Sequence, residues 1–278
     1  MLERLGARRL PPVTVVDPFV RGVLATYQEY WIRSLRQEAP ASSLEPWLRD
    51  SLNAQLRGNG AAAAADLDSI EATLGPMLEA RGYHQLMGVT SPLRELMLWR
   101  SERTEQFDVP LPQGAQPVTV VFMDQFASLG WAGFATCDRY HSGGWTKPDR
   151  LYAVQSAYDT TSEDFRVSYL AHEGQHFWDT THLPADTPQD VLEYRAKLVE
   201  LALGRASEYD LLAQFAINSG DDPAVPHSIA NGRVIHDLRA RLFPGTSNTP
   251  SWRDTPVDSI NAAAAALLRE DLARRAAR

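Results

Sequence analysis

A chain of 278 residues with 44% apolar and 22% charged side chains can bury a sizeable core, and its composition excludes a disordered or collagen-like protein. The formal net charge of −8 argues against the basic footprint that a phosphate backbone requires, so no nucleic-acid partner is expected. Cys137 is the only cysteine, which excludes an internal disulfide and any multi-thiolate metal site and leaves His, Asp and Glu as the available ligands.

In chain order, the N-terminal MLERLGARRLPP lacks the apolar stretch of a secretory signal, and no later run approaches the roughly 20 apolar residues that span a bilayer. The expectation is a soluble chain without a membrane span, cytoplasmic by default. Asp17-Pro18 pairs an N-cap with a first-turn proline, and Phe19, Val23, Tyr27, Tyr30 and Trp31 recur at helical spacing, predicting a helix to about Gln37. A second helix is expected from Ser43 to Leu56, stopped by Gly58-Asn59-Gly60, and a third from about Ala65 to Ala80, stopped by Gly82.

From Tyr83 the texture changes to short runs separated by Pro and Gly. Leu93 to Trp99, Val118 to Met123 and Leu151 to Ala157 read as strands of a small sheet. Thr160 with Glu163 forms a capping box for a helix reaching to about Asp179. Thr187-Pro188 with Asp190 opens the next helix, expected to run toward Asn218 with a bend at Gly204. Residues 227 to 242 and 256 to 276 fit two more helices, and no internal repeat is apparent.

The chemistry concentrates in His172-Glu173-Gly174-Gln175-His176. On a helix, positions four apart lie nearly above one another, so the two imidazoles can share one divalent cation. Glu173 lies about 100 degrees round from His172, where its carboxylate can take a proton from an activated water instead of ligating. Zinc lowers the pKa of a bound water toward about 7, which makes this pairing suited to metal-assisted hydrolysis. Chance alone would produce HExxH in roughly one such sequence in a hundred. Its setting adds specificity, because the motif lies in an amphipathic helix preceded by a strand and followed by a helix bearing carboxylates. The competing account makes Phe165, Tyr169, His172 and His176 a core stripe with hydrogen-bonded histidines.

Two residues compete as third ligand. Glu193 comes from the next helix, in Leu192-Glu-Tyr-Arg-Ala-Lys-Leu-Val-Glu200, which a loop containing Pro184 and Pro188 can fold back antiparallel. Glu200, two turns on, suits the role of accepting a hydrogen bond from a ligating imidazole. The competing account is a solvated face with a Glu193 to Lys197 salt bridge. His182 lies six residues after His176, the spacing of the HExxHxxGxxH metzincins, with Asp179 in place of the glycine. That group also has a methionine beneath the metal, whereas Met1, Met77, Met87, Met97 and Met123 all precede the motif.

Over about residues 145 to 205 the chain more closely resembles the gluzincins, zinc metallopeptidases with two His from HExxH and a Glu from a following helix. This resemblance implies His172, His176 and Glu193 as ligands of Zn2+ and Glu173 as general base. HEGQHFWD followed by LEYRAKLVEL also resembles a group of predicted bacterial metalloproteases without an assigned substrate. Lys197 stands four after Glu193, where the thermolysin-like pattern has an acid, and the interval to Glu193 is slightly short.

A peptidase also needs a donor for the developing oxyanion and a strand edge to align the substrate. His236 is favoured as donor over Tyr194 and His227, against its being a surface histidine near Asp237 and Arg239. Tyr152 to Ala157 is the candidate edge. Tyr140-His141 before Gly143-Gly144 reads as a turn in preference to a cleft wall. The expected fold is predominantly helical α+β and zincin-like, with a small antiparallel sheet packed against the HExxH helix. Its expected organisation is an N-terminal helical region over 1–82 and a catalytic region over 83–278, which can also form one continuous domain. The expected function is a zinc metallopeptidase acting on a peptide or protein substrate. The alternative is a zinc-containing binding or scaffold domain without turnover.

Overall fold

Asp17 opens the first helix by accepting hydrogen bonds from the backbone N–H of Phe19 and Val20 at 2.9 and 3.0 Å, satisfying amides that have no partner within the helix. The structure is a computed structural model that describes residues 15–245 and 250–276. The N-terminal segment MLERLGARRLPP, expected to lack a secretory signal, lies outside the described residues. The predominantly helical α+β class holds, with small antiparallel sheets, and among the described residues no helix is long and apolar enough to cross a membrane.

The chain divides into two compact units. The first comprises Met1–Arg103, Phe122–Trp145 and Ala153–Ser156, and the second Thr104–Val121, Thr146–Tyr152 and Ala157–Arg278. The first unit therefore extends past the helical first third into the strands.

In the first unit, α1 (Pro18–Leu35), α2 (Ala41–Gly58) and α3 (Leu67–Glu79) come close to the helices expected from capping and periodicity. Phe19, Val23, Leu24, Tyr27, Tyr30 and Trp31 of α1 are buried with Leu48, Leu52 and Leu56 of α2 and Ile70, Leu74 and Leu78 of α3. Trp31 is fully buried, and its indole N–H donates to the Arg94 carbonyl at 2.8 Å, so its one polar atom costs nothing to bury. Strand β1 (His84–Thr90) pairs antiparallel with β2 (Leu93–Trp99). The expected boundaries of β2 are met, since its near-continuous apolar run is buried along most of its length. β1 shows little buried face, which is why its pattern did not declare a strand. Further along the chain come β3 (Ser101–Leu111), β4 (Gly114–Asp124), β5 (Ser128–Leu129) and α4 (Gly130–Thr136). β5 completes a three-stranded sheet in the order β1-β2-β5.

A four-stranded sheet follows the order β3-β4-β7-β6, with β6 spanning Gly144–Lys147 and β7 spanning Arg150–Val154. This corrects the expected substrate edge. β7 lies between β4 and β6, and residues 155–157 turn into a 3₁₀ helix, so β6 is the edge strand beside β7.

In the second unit, a π-helical segment, Phe165–Ala171, runs directly into α5 (His172–His182). The expected capping box does not form. The Ser162 hydroxyl accepts from Phe165 N–H at 3.0 Å, while the Glu163 carboxylate accepts from the N–H groups of Arg205 and Ser207 at 2.8 Å each. Burial opposes ionisation of Glu163, but the bonds from Ser207 and Arg205 outweigh it and lower its pKa to about 2. Gly174 of α5 faces Val109 of β3 and Val118 of β4, where a Cβ would sit in ordinary van der Waals contact at 3.4 and 3.5 Å.

The run expected from Thr187 to Asn218 is two helices, α6 (Gln189–Leu203) and α7 (Glu208–Ile217), and not one bent helix. Gly204 adopts an extended conformation, φ −61° and ψ 145°, and ends α6. The Asn261 amide donates to the carbonyls of Leu201 and Gly204 at 2.6 and 3.0 Å, satisfying acceptors that α6 leaves open at its end. Helix α8 (Pro226–Leu242) and α9 (Val257–Ala276) pack on α6. Together with α5 they bury ten of its residues, among them Glu193, Arg195, Lys197 and Glu200.

Candidate metal centre

One helical turn apart on α5, His172 and His176 turn their Nε2 atoms toward each other, 3.2 Å apart. Glu193 of α6 faces both: its Oε2 lies 3.5 Å from His172 Nε2 and its Oε1 lies 3.5 Å from His176 Nε2. Three side chains from two helices thus converge with ligand atoms within 4.8 Å of one another, and the group can hold a metal ion. Glu193 Oε2 is buried without an aligned hydrogen-bond donor among the described residues, although His227 Nδ1 approaches it at 2.8 Å. A buried carboxylate beside two facing imidazole nitrogens is a donor set that could hold a divalent cation.

The surrounding contacts fix these groups. Glu200 Oε1 lies 2.7 Å from His172 Nδ1, a contact that in the neutral ring places the proton on Nδ1 and turns Nε2 toward the other donors. Burial disfavours a charged His172, but hydrogen bonds to Glu193 and Glu200 overcome it and push its pKa up to about 10. Glu193 is shifted in the opposite sense: burial opposes ionisation, and hydrogen bonds from His172, His176 and His227 hold its pKa well below the carboxylate range.

Glu173 does not join the three donors. Its Oε2 accepts a 2.8 Å hydrogen bond from the Thr146 hydroxyl, so β6 orients the carboxylate expected to act as base. The Tyr158 and Tyr169 rings lie tilted with centroids 4.6 Å apart near Glu173, and both phenols are raised in pKa, first by burial. The Glu193 to Lys197 salt bridge is absent, since the Lys197 ammonium lies over the Phe215 ring at 4.7 Å.

His182 is not brought to the group. The helix continues through Asp179 instead of turning there, and six residues place His182 roughly 240 degrees round from His176. Its ring stacks on Trp178 at 3.9 Å. Asp179 is buried and accepts from Arg195 Nε at 3.0 Å and Gln175 Nε2 at 2.7 Å, which ties α5 to α6. His236 also stays apart, with a side chain 81% exposed and a ring 2.9 Å from Asp237. His227, the weaker candidate from sequence, is the histidine that reaches the site, with a side chain 64% exposed. Tyr194 is buried, and its hydroxyl donates to Asp237 at 2.8 Å. In the first unit, Tyr140 and His141 belong to an exposed turn, where Thr136 Oγ1 bonds both N–H and C=O of Tyr140.

Comparison of the chain with protein-family models, with curated proteins and with solved structures gives no match. The metal-centre geometry therefore stands on the residues themselves. Thr146 was missed from sequence because it follows a glycine-rich turn and carries no spacing relation to HExxH. His227 was legible only as a histidine after a helix-opening proline.

Proposed function

We propose that the chain is a zinc-dependent hydrolase of the gluzincin type acting on peptide or protein substrates, with His172, His176 and Glu193 as ligands and Glu173 as general base. The observation that carries this reading is the convergence of one ligand atom from each of His172, His176 and Glu193 within 4.8 Å of one another, with the two imidazole Nε2 atoms 3.2 Å apart. Ligand atoms about 2.0–2.2 Å from a tetrahedral zinc ion lie roughly 3.3–3.5 Å from one another. Two imidazoles and one carboxylate leave a fourth position open, as catalytic zinc sites require. When bound, zinc supplies Lewis acidity and lowers the pKa of a water molecule.

The remaining work falls to the chain's own side chains. Glu173 is held by Thr146 with a carboxylate available to accept a proton from the attacking water and to return it to the leaving amine. His227, beside Glu193 and open to solvent, replaces His236 as the donor toward charge developing on the carbonyl oxygen. Thr146 belongs to the edge strand β6, so an extended peptide adding to that edge runs past Glu173.

The test compares zinc-loaded wild type with zinc-loaded Glu173→Gln on a quenched-fluorescence peptide library. Loss of the base should lower kcat/KM by about 10²- to 10⁴-fold with zinc content unchanged. A Glu173→Gln protein that retains zinc and full activity excludes the proposed base. Stoichiometric zinc with no hydrolysis by wild type points to the non-turnover binding domain instead.

A further inference from the structure

Away from the metal centre, four guanidinium groups meet three carboxylates where α6, α8 and α9 pack together. Arg195 of α6 is fully buried and bonds Asp179 at 3.0 Å and Asp271 at 3.1 Å. Asp271 of α9 is itself 3% exposed in its side chain and also accepts from Arg275 Nε at 2.7 Å. Arg233 of α8 reaches Asp237 at 3.7 Å and Asp271 at 3.5 Å, both longer than a good charge-assisted bond. Arg274 has one ion-pair contact among the described residues, 3.7 Å to Asp271, and its side chain is 60% exposed.

Four guanidiniums against three carboxylates leave one positive charge in excess. A purely structural knot would be completed by Arg195, Arg275 and their buried carboxylates. Arg233 and Arg274 add positive charge around a cavity of about 250 Å³ lined by Arg233, Asp271, Arg274 and Arg275. The Arg233 guanidinium is stacked over the Tyr194 ring at 3.7 Å, so its plane is held in place before any ligand arrives. The contacts to Asp271 engage Arg195 Nη1, Arg233 Nη2, Arg274 Nη2 and Arg275 Nε and Nη2, whereas each guanidinium carries five N–H donors. Planar guanidiniums held around a concave surface bind tetrahedral oxyanions through paired hydrogen bonds.

We infer that this cavity is a binding site for a small tetrahedral oxyanion, phosphate itself or the phosphate of a small phosphomonoester. The site involves neither zinc nor Glu173 and is independent of the proposed hydrolase activity. Isothermal titration of the full chain with inorganic phosphate and, separately, with phosphoserine tests it, at constant ionic strength set with chloride. Saturable binding of either is expected, and the tighter of the two identifies the source. Arg274→Gln, a change at an exposed position, should weaken it by about tenfold or more. Arg241→Gln removes another α8 arginine, one paired with Glu270, and should leave it unchanged. Absence of saturable binding to wild type overturns the inference. So does equal weakening by both substitutions, which marks nonspecific charge, or binding unaffected by Arg274→Gln, which places the anion elsewhere.

Discussion

Both units bury ionisable groups among apolar side chains, and they resolve that cost differently. In the first unit the Tyr27 hydroxyl donates to Glu71 Oε1 at 2.9 Å, and Arg94 lies 3.6 Å from Glu71 Oε2 and reaches Asp68. Glu95 there accepts from the N–H groups of Leu96 and Trp131 at 2.9 Å each. Every carboxylate in that group meets a donor from the chain itself. In the second unit, by contrast, two imidazole nitrogens and a carboxylate converge on one another and Glu193 Oε2 is left without an aligned donor. A buried polar group costs about 1–3 kcal/mol when unsatisfied, and a bound ion would offset that cost for three facing ligand atoms. Burial of charge is common to both regions; the convergence of three potential ligand atoms distinguishes the second.

Glu208 is the sharpest challenge to that distinction, because it is wholly buried in the second unit and both its oxygens lack partners among the described residues. It is a lone group, and it resolves its cost with a proton. Burial, reinforced by Glu163 and Glu200 and opposed by Arg205, raises its pKa to about 9. With a folded pKa above the unfolded value, its contribution to stability is full below the unfolded pKa. It is lost progressively as pH rises from about 4.5 through about 9. At pH 7 this amounts to about 3 kcal/mol of destabilisation. Denaturant melts of Glu208→Gln across this window should show a flatter pH dependence than wild type, with zinc content unaltered. Parallel pH profiles would show that Glu208 is ionised, and so paired, in the fold.

A smaller effect sharpens the contrast from the other side. Glu200→Gln removes the charge that orients His172 and should weaken zinc affinity by about 10- to 100-fold without unfolding the second unit. Competition with a chelating dye reads this directly, and unchanged affinity would reduce Glu200 to a packing role. The smallest effect belongs to the satisfied network. Tyr27→Phe should cost roughly 1–2 kcal/mol of stability by stripping Glu71 of a buried donor, and zinc content should not change.

Local signals made much of this legible. The cap at Asp17, the apolar run of β2 and the one-turn spacing of His172 and His176 each act within a few residues, and the fold honours them. The Glu193 and Glu200 placements were accessible because both lie on one face of the next helix, though their convergence on α5 depends on how that helix packs. The readings that failed depend on distant partners. Glu163 carries a capping-box spacing but caps the segment at 205–207, a choice made by tertiary contact. Gly204 breaks a helix because Asn261, far along the chain, takes its carbonyls. β7 was taken for an edge because strand order is not written in the strand's own pattern. His236 and His227 had similar local surroundings, and only the path of α8 decides which one meets Glu193.

The central claim is that His172, His176 and Glu193 jointly hold one zinc ion. The direct measurement is metal content by mass spectrometry on protein purified without chelator, for wild type, Glu193→Ala and His182→Ala, each checked for folding by circular dichroism. The account predicts one zinc per chain in wild type and in His182→Ala, and far less in a folded Glu193→Ala. Full zinc in Glu193→Ala, or none in wild type supplied with zinc, would contradict it.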